Sequence, residues 1–246
     1  MLSILGLLVS VCLLACLYCQ DTTLVADSVI SNKEGYDKFL TDVVQKNYLQ
    51  DNLSGVKNWK HSATYSESLA AIPQAKYNLL SKAQHREDLQ LYNGYFKGKE
   101  KGLILESGAF DGFNLSSTLF FEKLADWSAI HIEADPVNFA KLSVNRPKSI
   151  NVHMALCDSP RTLHYVDTGI SLAHGIAEFM PDNFLKMHHG RLYRNKTLIN
   201  DLREVPCFPI RYLFRHLRLR KIDVWVLDTE GSELAVLNGV DFSRML

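Results

Sequence analysis

Between Glu106 and Glu230 the chain sets carboxylates beside glycines in an order suited to small-molecule chemistry at a sheet edge. Glu106 precedes the loop Gly108-Ala109-Phe110-Asp111-Gly112, Glu133 follows it, and Asp228-Thr229-Glu230-Gly231 completes the set. A glycine loop after a strand lets backbone approach a nucleotide closely. An acid about 20 residues further on, at the end of the next strand, is placed for ribose hydroxyls. The loop does not read G-x-G-x-x-G, and Glu106 and Asp111 would repel a pyrophosphate. S-adenosylmethionine has no phosphate and carries sulfonium and ammonium charges, so the same carboxylates attract it. The pattern therefore favours a methyl donor over a nicotinamide dinucleotide. Glycine at a strand-to-helix turn also has a purely steric explanation, and the loop gains its meaning from Glu133 and Asp228 behind it. Asp228 and Glu230 are the candidate catalytic groups, acting as base toward an acceptor hydroxyl. Capping of a helix N-terminus is the competing role for both.

These residues need a scaffold, and the flanking segments supply one. Leu103-Ile104-Leu105 reads as a short buried strand before the loop, 115–125 has helix periodicity, and Ala129-Ile130-His131-Ile132 is the next strand. Pro136 suits the first turn of a helix over 137–144, and a third strand is expected over 151–156. A fourth spans 222–227 and ends at Asp228, with a helix beginning at Glu233. Strands alternating with helices imply a parallel, doubly wound α/β sheet with right-handed crossovers. Ligands of such sheets sit beyond the carboxyl ends of the strands, where Glu106, the glycine loop, Glu133 and Asp228 all fall. Residues 161–204 read as an insertion over that edge, with a strand at 162–166 and a polar stretch holding His188-His189, taken as solvated; no metal site is assigned. Pro209 opens a helix with Ile210, Leu213, Phe214 and Leu217 on its inner stripe, leaving Arg211, Arg215 and Arg218 as a solvated face.

The composition sets the class. With 246 residues and 47% apolar side chains the chain has enough material for a core, and 27 basic residues against 27 acidic leave no global field to gather nucleic acid. Residues 1–19 contain no charged side chain, and the first basic one downstream is Lys33, so this stretch reads as a signal peptide or signal anchor. It associates the chain with a membrane and directs the body into the secretory lumen. Residues 20–101 read as a helical extension, with Tyr36, Phe39, Leu40, Val43 and Val44 on one stripe and a further helix over 85–96. Of the 5 cysteines, only Cys157 and Cys207 lie in the body. In an oxidising compartment two such thiols can pair; two buried free thiols is the favoured reading. Asn52, Asn114 and Asn195 head glycosylation tripeptides, and a glycan on Asn114 would block the glycine loop.

Several motifs occur together in order: Lys97-Gly98-Lys99, Glu106 through Gly112, Ser117 through Glu122, Trp127, Ile132-Glu133-Ala134-Asp135-Pro136, Asn145-Arg146 and Asp228 through Leu234. Over roughly 81–240 the chain resembles the FkbM-type methyltransferases, especially the secretory-pathway branch that includes the Star-like proteins. The resemblance implies a Rossmann-like class I methyltransferase fold over 102–246, S-adenosylmethionine as donor, and an O-methylated glycan, lipid or small hydroxylated acceptor. It further implies that Gly108, Ala109 and Gly112 line the methionine part of the donor, Glu106 its ammonium, Glu133 the ribose, and Ala155 and Leu156 the adenine. Star-like relatives are associated with moving membrane cargo, so a weakly catalytic partner-binding protein is the alternative. Ser116-Ser117-Thr118 stands where Ser-Asn-Thr is usual, and the chain stops soon after the fourth strand, where the family continues. A sheet truncated there is expected to bare the edge of 222–227, a pairing hazard, unless the insertion covers it.

Overall fold

The structure, a computed structural model, describes residues 12–13, 79–167, 173–240 and 242. The assignments made to most of 1–19 and to 20–78 lie outside the described residues. Among those described, no helix is long and apolar enough to cross a membrane.

A sheet at the centre is built from β2 (Leu103–Ser107), β3 (Ser128–Glu133), β4 (Ile150–His153) and β9 (Val224–Leu227), in the order β9-β2-β3-β4. All three neighbouring pairs are parallel. Their side chains alternate between two apolar layers, which is why the strands read as unbroken hydrophobic runs rather than alternating ones. Leu105, Ile130, Ile132, Trp225 and Leu227 face one layer, with Leu213 from α6 (Ile210–His216), Leu217 just after it, and Val236 from α7 (Glu233–Asn238). Ile104, Ala129, Val224 and Val226 face the other, against Phe120, Phe121 and Leu124 of α2 (Leu119–Leu124) and Leu89 and Leu91 of α1 (Glu87–Leu91). Trp127 meets Phe121 there, ring centroids 4.7 Å apart. The helix expected over 85–96 changes character halfway, α1 passing into a π-helical turn at Tyr92–Phe96 that carries Tyr92 and Phe96 into the same layer.

The chain runs outward from β2 through β3 to β4, joined by α2 and by α3 (Pro136–Asn145), and then returns to lay β9 on the other side of β2. The crevice between β2 and β9 is thus the point where strand order reverses, the usual place for a ligand. On its outer edge β9 pairs antiparallel through Val226 and Trp225 with β1 (Cys12–Leu13), so the edge expected to be bare is paired over two residues, and not by the insertion.

The strand expected over 151–156 is divided. Met154 still donates to the Glu133 carbonyl at 3.2 Å, after which β5 (Ala155–Leu156) leaves to pair with β8 (Arg203–Phe208). With β6 (Arg161–Val166) and β7 (Gly175–Ile176) these form a second sheet in the order β5-β8-β6-β7. β8 escapes notice in the sequence because Pro206 lies within it, and proline is normally confined to strand edges. Pro206 faces Thr162 of β6, while β5 pairs only from Cys207 onward, so on its other side Pro206 is an edge residue. Cys157 and Cys207 form a disulfide that staples the second sheet, correcting the reading as free thiols. Of the arginine row, Arg211 is not simply solvated: its guanidinium donates to the Gly239 carbonyl at 2.8 Å. His188-His189 closes α4 (Asp182–His188), and His189 is buried, its Nε2 bonded to the Ala173 carbonyl at 2.8 Å, contrary to the solvated reading.

Candidate functional site

The glycine loop and the Asp228 turn meet across the switch crevice. Asp228 N–H donates to the Ser107 carbonyl at 3.0 Å, continuing the β2–β9 ladder past the last paired residues. Gly108 follows with φ +82°, and a Cβ placed on it would lie 1.7 Å from the Asp228 carbonyl oxygen. No side chain fits there, so glycine is required both by conformation and by the closeness of two backbones. Gly112, φ +73°, backs onto Leu142 and Arg146 of the α3 region instead of facing the crevice. Two non-glycine residues also sit at positive φ in these turns, Phe110 at 51° and Glu230 at 54°. Such residues cost about 1–2 kcal/mol each and concentrate at functional loops.

Glu133 ends β3 and organises the glycine loop from the neighbouring strand. Its Oε2 accepts from Phe110 N–H at 2.8 Å and its Oε1 from Asp135 N–H at 2.8 Å. Only 6% exposed, its carboxyl is pushed up to about 7, chiefly by burial. The Ala134 N–H is a third backbone donor to this carboxyl, which leaves part of its acceptor capacity for a further donor. Ala109 is buried beside it, its N–H bonded to the Ile132 carbonyl at 3.1 Å.

Glu106 has a different situation. It is 4% exposed; its Oε1 accepts from Ser117 N–H at 2.7 Å, and its Oε2 from Thr118 Oγ1 at 2.7 Å and Ser116 Oγ at 3.1 Å. Burial raises its pKa, with these donors and Arg146 opposing. Behind it lies a polar network whose members sequence reasoning gave no role. The Arg146 guanidinium donates to the Gly112 carbonyl at 2.9 Å, Ser116 Oγ at 3.1 Å and Thr118 Oγ1 at 3.2 Å, and pairs with Glu122. Burial lowers Arg146 to about 10, which leaves it cationic at neutral pH. His131, lowered to about 4 by burial and so uncharged, lies between Thr118 Oγ1 and Asn151 Oδ1, 2.9 Å from each. Part of the signal was available in the sequence: Glu122 stands in the apolar run Leu119-Phe120-Phe121, where a folded-in charge needs a partner, whereas Arg146, between Asn145 and Pro147-Lys148, carries no such mark.

The opposite wall is open and acidic. Asp228 and Glu230 are exposed at the turn. The competing capping role does not fall to either: Glu233 Oε1 accepts from Thr229 N–H at 2.7 Å and Oε2 from Gly231 N–H at 3.0 Å, holding the turn closed. Partial desolvation, then repulsion from Glu233 and Glu106, raises Asp228; desolvation, then Asp228 and Glu233, raises Glu230 to about 7. The insertion borders this wall. A Cβ on Gly175 would meet the Glu230 Cβ at 3.5 Å, and one on Gly231 the Phe179 carbonyl at 3.5 Å. Tyr165 of β6 is raised by burial and then by the charges of Glu133, Asp135, Asp167 and Glu230.

The structure thus brings Gly108 against Asp228 at the crevice, with Glu230 in the same turn, and places Ala109 and Glu133 on the β3 side of the same loop, while Glu106 and Gly112 are turned toward the loop's supporting side. Ala155 belongs to the cluster with Tyr165, against which Ala134 packs, whereas Leu156 belongs to the main core. Among the described residues no group of three or more His, Cys, Asp or Glu could hold a metal ion.

Residues 106–245 match the family model described as the Methyltransferase FkbM domain. Neither a curated protein nor a solved structure matches the chain.

Proposed function

Because the chain belongs to the FkbM methyltransferase family, we propose that it transfers the methyl group of S-adenosylmethionine to a hydroxyl of a glycan, lipid or small hydroxylated acceptor inside the secretory pathway. The observation that carries the choice of donor is the acidity of the site: burial raises Glu133, Asp228 and Glu230, and Asp228 and Glu230 are raised further by neighbouring carboxylates. Carboxylates held in that state gain from a cationic ligand. The residues fit the donor. Gly108 leaves room for backbone contact, Glu133 retains acceptor capacity for ribose hydroxyls, and Ala155 beside Ala134 offers a small apolar surface for the adenine. Asp228 stands beside Gly108 to meet the ammonium, while Glu106 acts through the loop it holds.

S-adenosylmethionine supplies an electrophilic methyl on a sulfonium, which an acceptor oxygen displaces in line. Glu230 takes the acceptor's proton. A carboxylate raised to about 7 is matched to that task near neutral pH, and Tyr165, Gly175 and Phe179 from the insertion wall the acceptor side. The lumenal setting is supported by the uncharged start of the chain and by the Cys157–Cys207 disulfide, a bond that persists in oxidising compartments.

The test is calorimetry with S-adenosylmethionine and its demethylated product on the full chain, which keeps β1 on the edge of β9. Binding is expected, weakened by Glu133→Ala and tightening as pH rises through 7. No detectable heat at millimolar ligand on folded protein overturns the enzyme reading and leaves a partner-binding role for the same fold.

A further inference from the structure

Of the glycosylation tripeptides at Asn114 and Asn195, the fold treats the two in opposite ways. Asn114 Nδ2, the nitrogen that would carry the sugar, is bound to Asp111 Oδ2 at 2.7 Å within the glycine loop. The hydroxyl of its third residue, Ser116, is 1% exposed and held by Glu106 and Arg146. Both groups that define the tripeptide are thus consumed by the donor site. Asn195 lies on the outside of the insertion, between α5 (Gly190–Arg194) and a 3-10 helix over Lys196–Asp201. It is exposed, and so is Thr197. The Thr197 hydroxyl donates to Asn195 Oδ1 at 2.7 Å and the Thr197 N–H to the same oxygen at 3.1 Å. Both bonds draw on the amide oxygen of an exposed residue, and no hydrogen bond engages Nδ2 among the described residues. Lys196 between them reaches away to Asp182 at 2.7 Å.

We infer that Asn195 is a glycan acceptor of this chain and that Asn114 is not, an inference that rests on the lumenal part of the proposed function. In the transfer, Asn195 Nδ2 forms a bond to the anomeric carbon of an oligosaccharide, that carbon's bond to the diphosphate of a lipid-linked donor breaks, and the lipid diphosphate and one amide proton leave. A glycan at this position projects from the insertion into solvent and leaves the crevice between β2 and β9 open.

The experiment expresses the full chain in a secretory eukaryotic cell, digests microsomes with protease in the presence and absence of detergent, and reads each asparagine by mass spectrometry after enzymatic deglycosylation in heavy-oxygen water. Conversion of Asn195 to labelled Asp with Asn114 unconverted is the expected result. Asn195→Gln and Thr197→Val each abolish it, and Thr197→Ser preserves it, which separates loss of the tripeptide from loss of the fold. A protease-protected chain with Asn195 unmodified, or with Asn114 modified instead, overturns the site and leaves the lumenal reading standing. Digestion without detergent overturns the lumenal reading and the site with it.

Discussion

Gly108→Ala is the sharpest test of the crevice. At φ +82° an alanine costs about 1–2 kcal/mol through its conformation alone, partly offset by roughly 0.4–1 kcal/mol because the unfolded chain loses freedom. Its Cβ would also stand 1.7 Å from the Asp228 carbonyl oxygen and 2.9 Å from the Asp228 carbonyl carbon, backbone atoms with no rotamer to change. Overpacking of that kind adds about 1–3 kcal/mol or more, because β2 and β9 must separate. Gly98 is the internal control: φ is +79° but nothing lies within 4 Å of its would-be Cβ. Gly98→Ala therefore carries only the conformational part, and the difference between the two variants isolates the contact at about 1–3 kcal/mol. Urea unfolding at equal protein concentration reads this as a lower midpoint with an unchanged slope. Calorimetry with S-adenosylmethionine reads it as lost affinity in Gly108→Ala and retained affinity in Gly98→Ala. Equal midpoints, or full affinity in Gly108→Ala, would show that the two backbones do not meet there.

Replacing Arg146 by Met strands the Glu122 carboxylate and unseats Ser116 and Thr118, so thermal unfolding should show a loss of about 3–5 kcal/mol; a loss below about 1 kcal/mol refutes the network. The Cys157–Cys207 bond closes a separation of 50 residues, for which chain entropy gives about 4 kcal/mol; a Cys157→Ala, Cys207→Ala double variant as stable as the parent contradicts that value. Glu133 is raised from 4.5 to about 7 by burial, so the folded chain keeps a proton that the unfolded chain has released. Stability should therefore fall as pH rises from about 4.5 to about 7, by up to roughly 3 kcal/mol, and level off above. Glu133→Gln removes this slope, and a parent midpoint constant from pH 5 to pH 7.5 rejects it.

The parts of the fold legible in the sequence were those in which one signal acted alone. β2, β3 and β9 stand as apolar runs because both faces are buried, and Gly108, Glu133 and Asp228 fall at their ends by chain order. The insertion was opaque because its elements are short and their signals compete. Pro206 argues against the strand it occupies, and Met154 marks no visible break between β4 and β5. Leu156 illustrates a limit of carrying roles along a sequence: one residue separates it from Met154 in the main core, but Ala155 between them belongs to the other sheet's cluster. The network around Arg146 was written in residues already singled out for their order, yet its content is spatial. Thr118, His131, Asn151 and Arg146 come from four elements and meet only once β3 and β4 are paired.

Glu106 and Asp228 bring the chemistry and the scaffold together. They leave the ends of adjacent parallel strands, Glu106 opposite Val226 in the β2–β9 ladder and Asp228 directly after Leu227. Their local sequences mark both as candidate ligands for a cation. Environment assigns them different work. Glu106 turns into the network, where Ser116, Ser117 and Thr118 take up its oxygens and Arg146 lies behind, so its charge is spent on holding the loop in shape. Asp228 stays at the open wall with Glu230, and Glu233 rather than either of them takes the turn's amides. Removing the charge of Glu106 therefore alters donor binding through the geometry of 108–118, while removing that of Asp228 alters it through the field in the crevice. Only the second effect weakens with added salt, because screening acts on exposed charges far more than on buried ones.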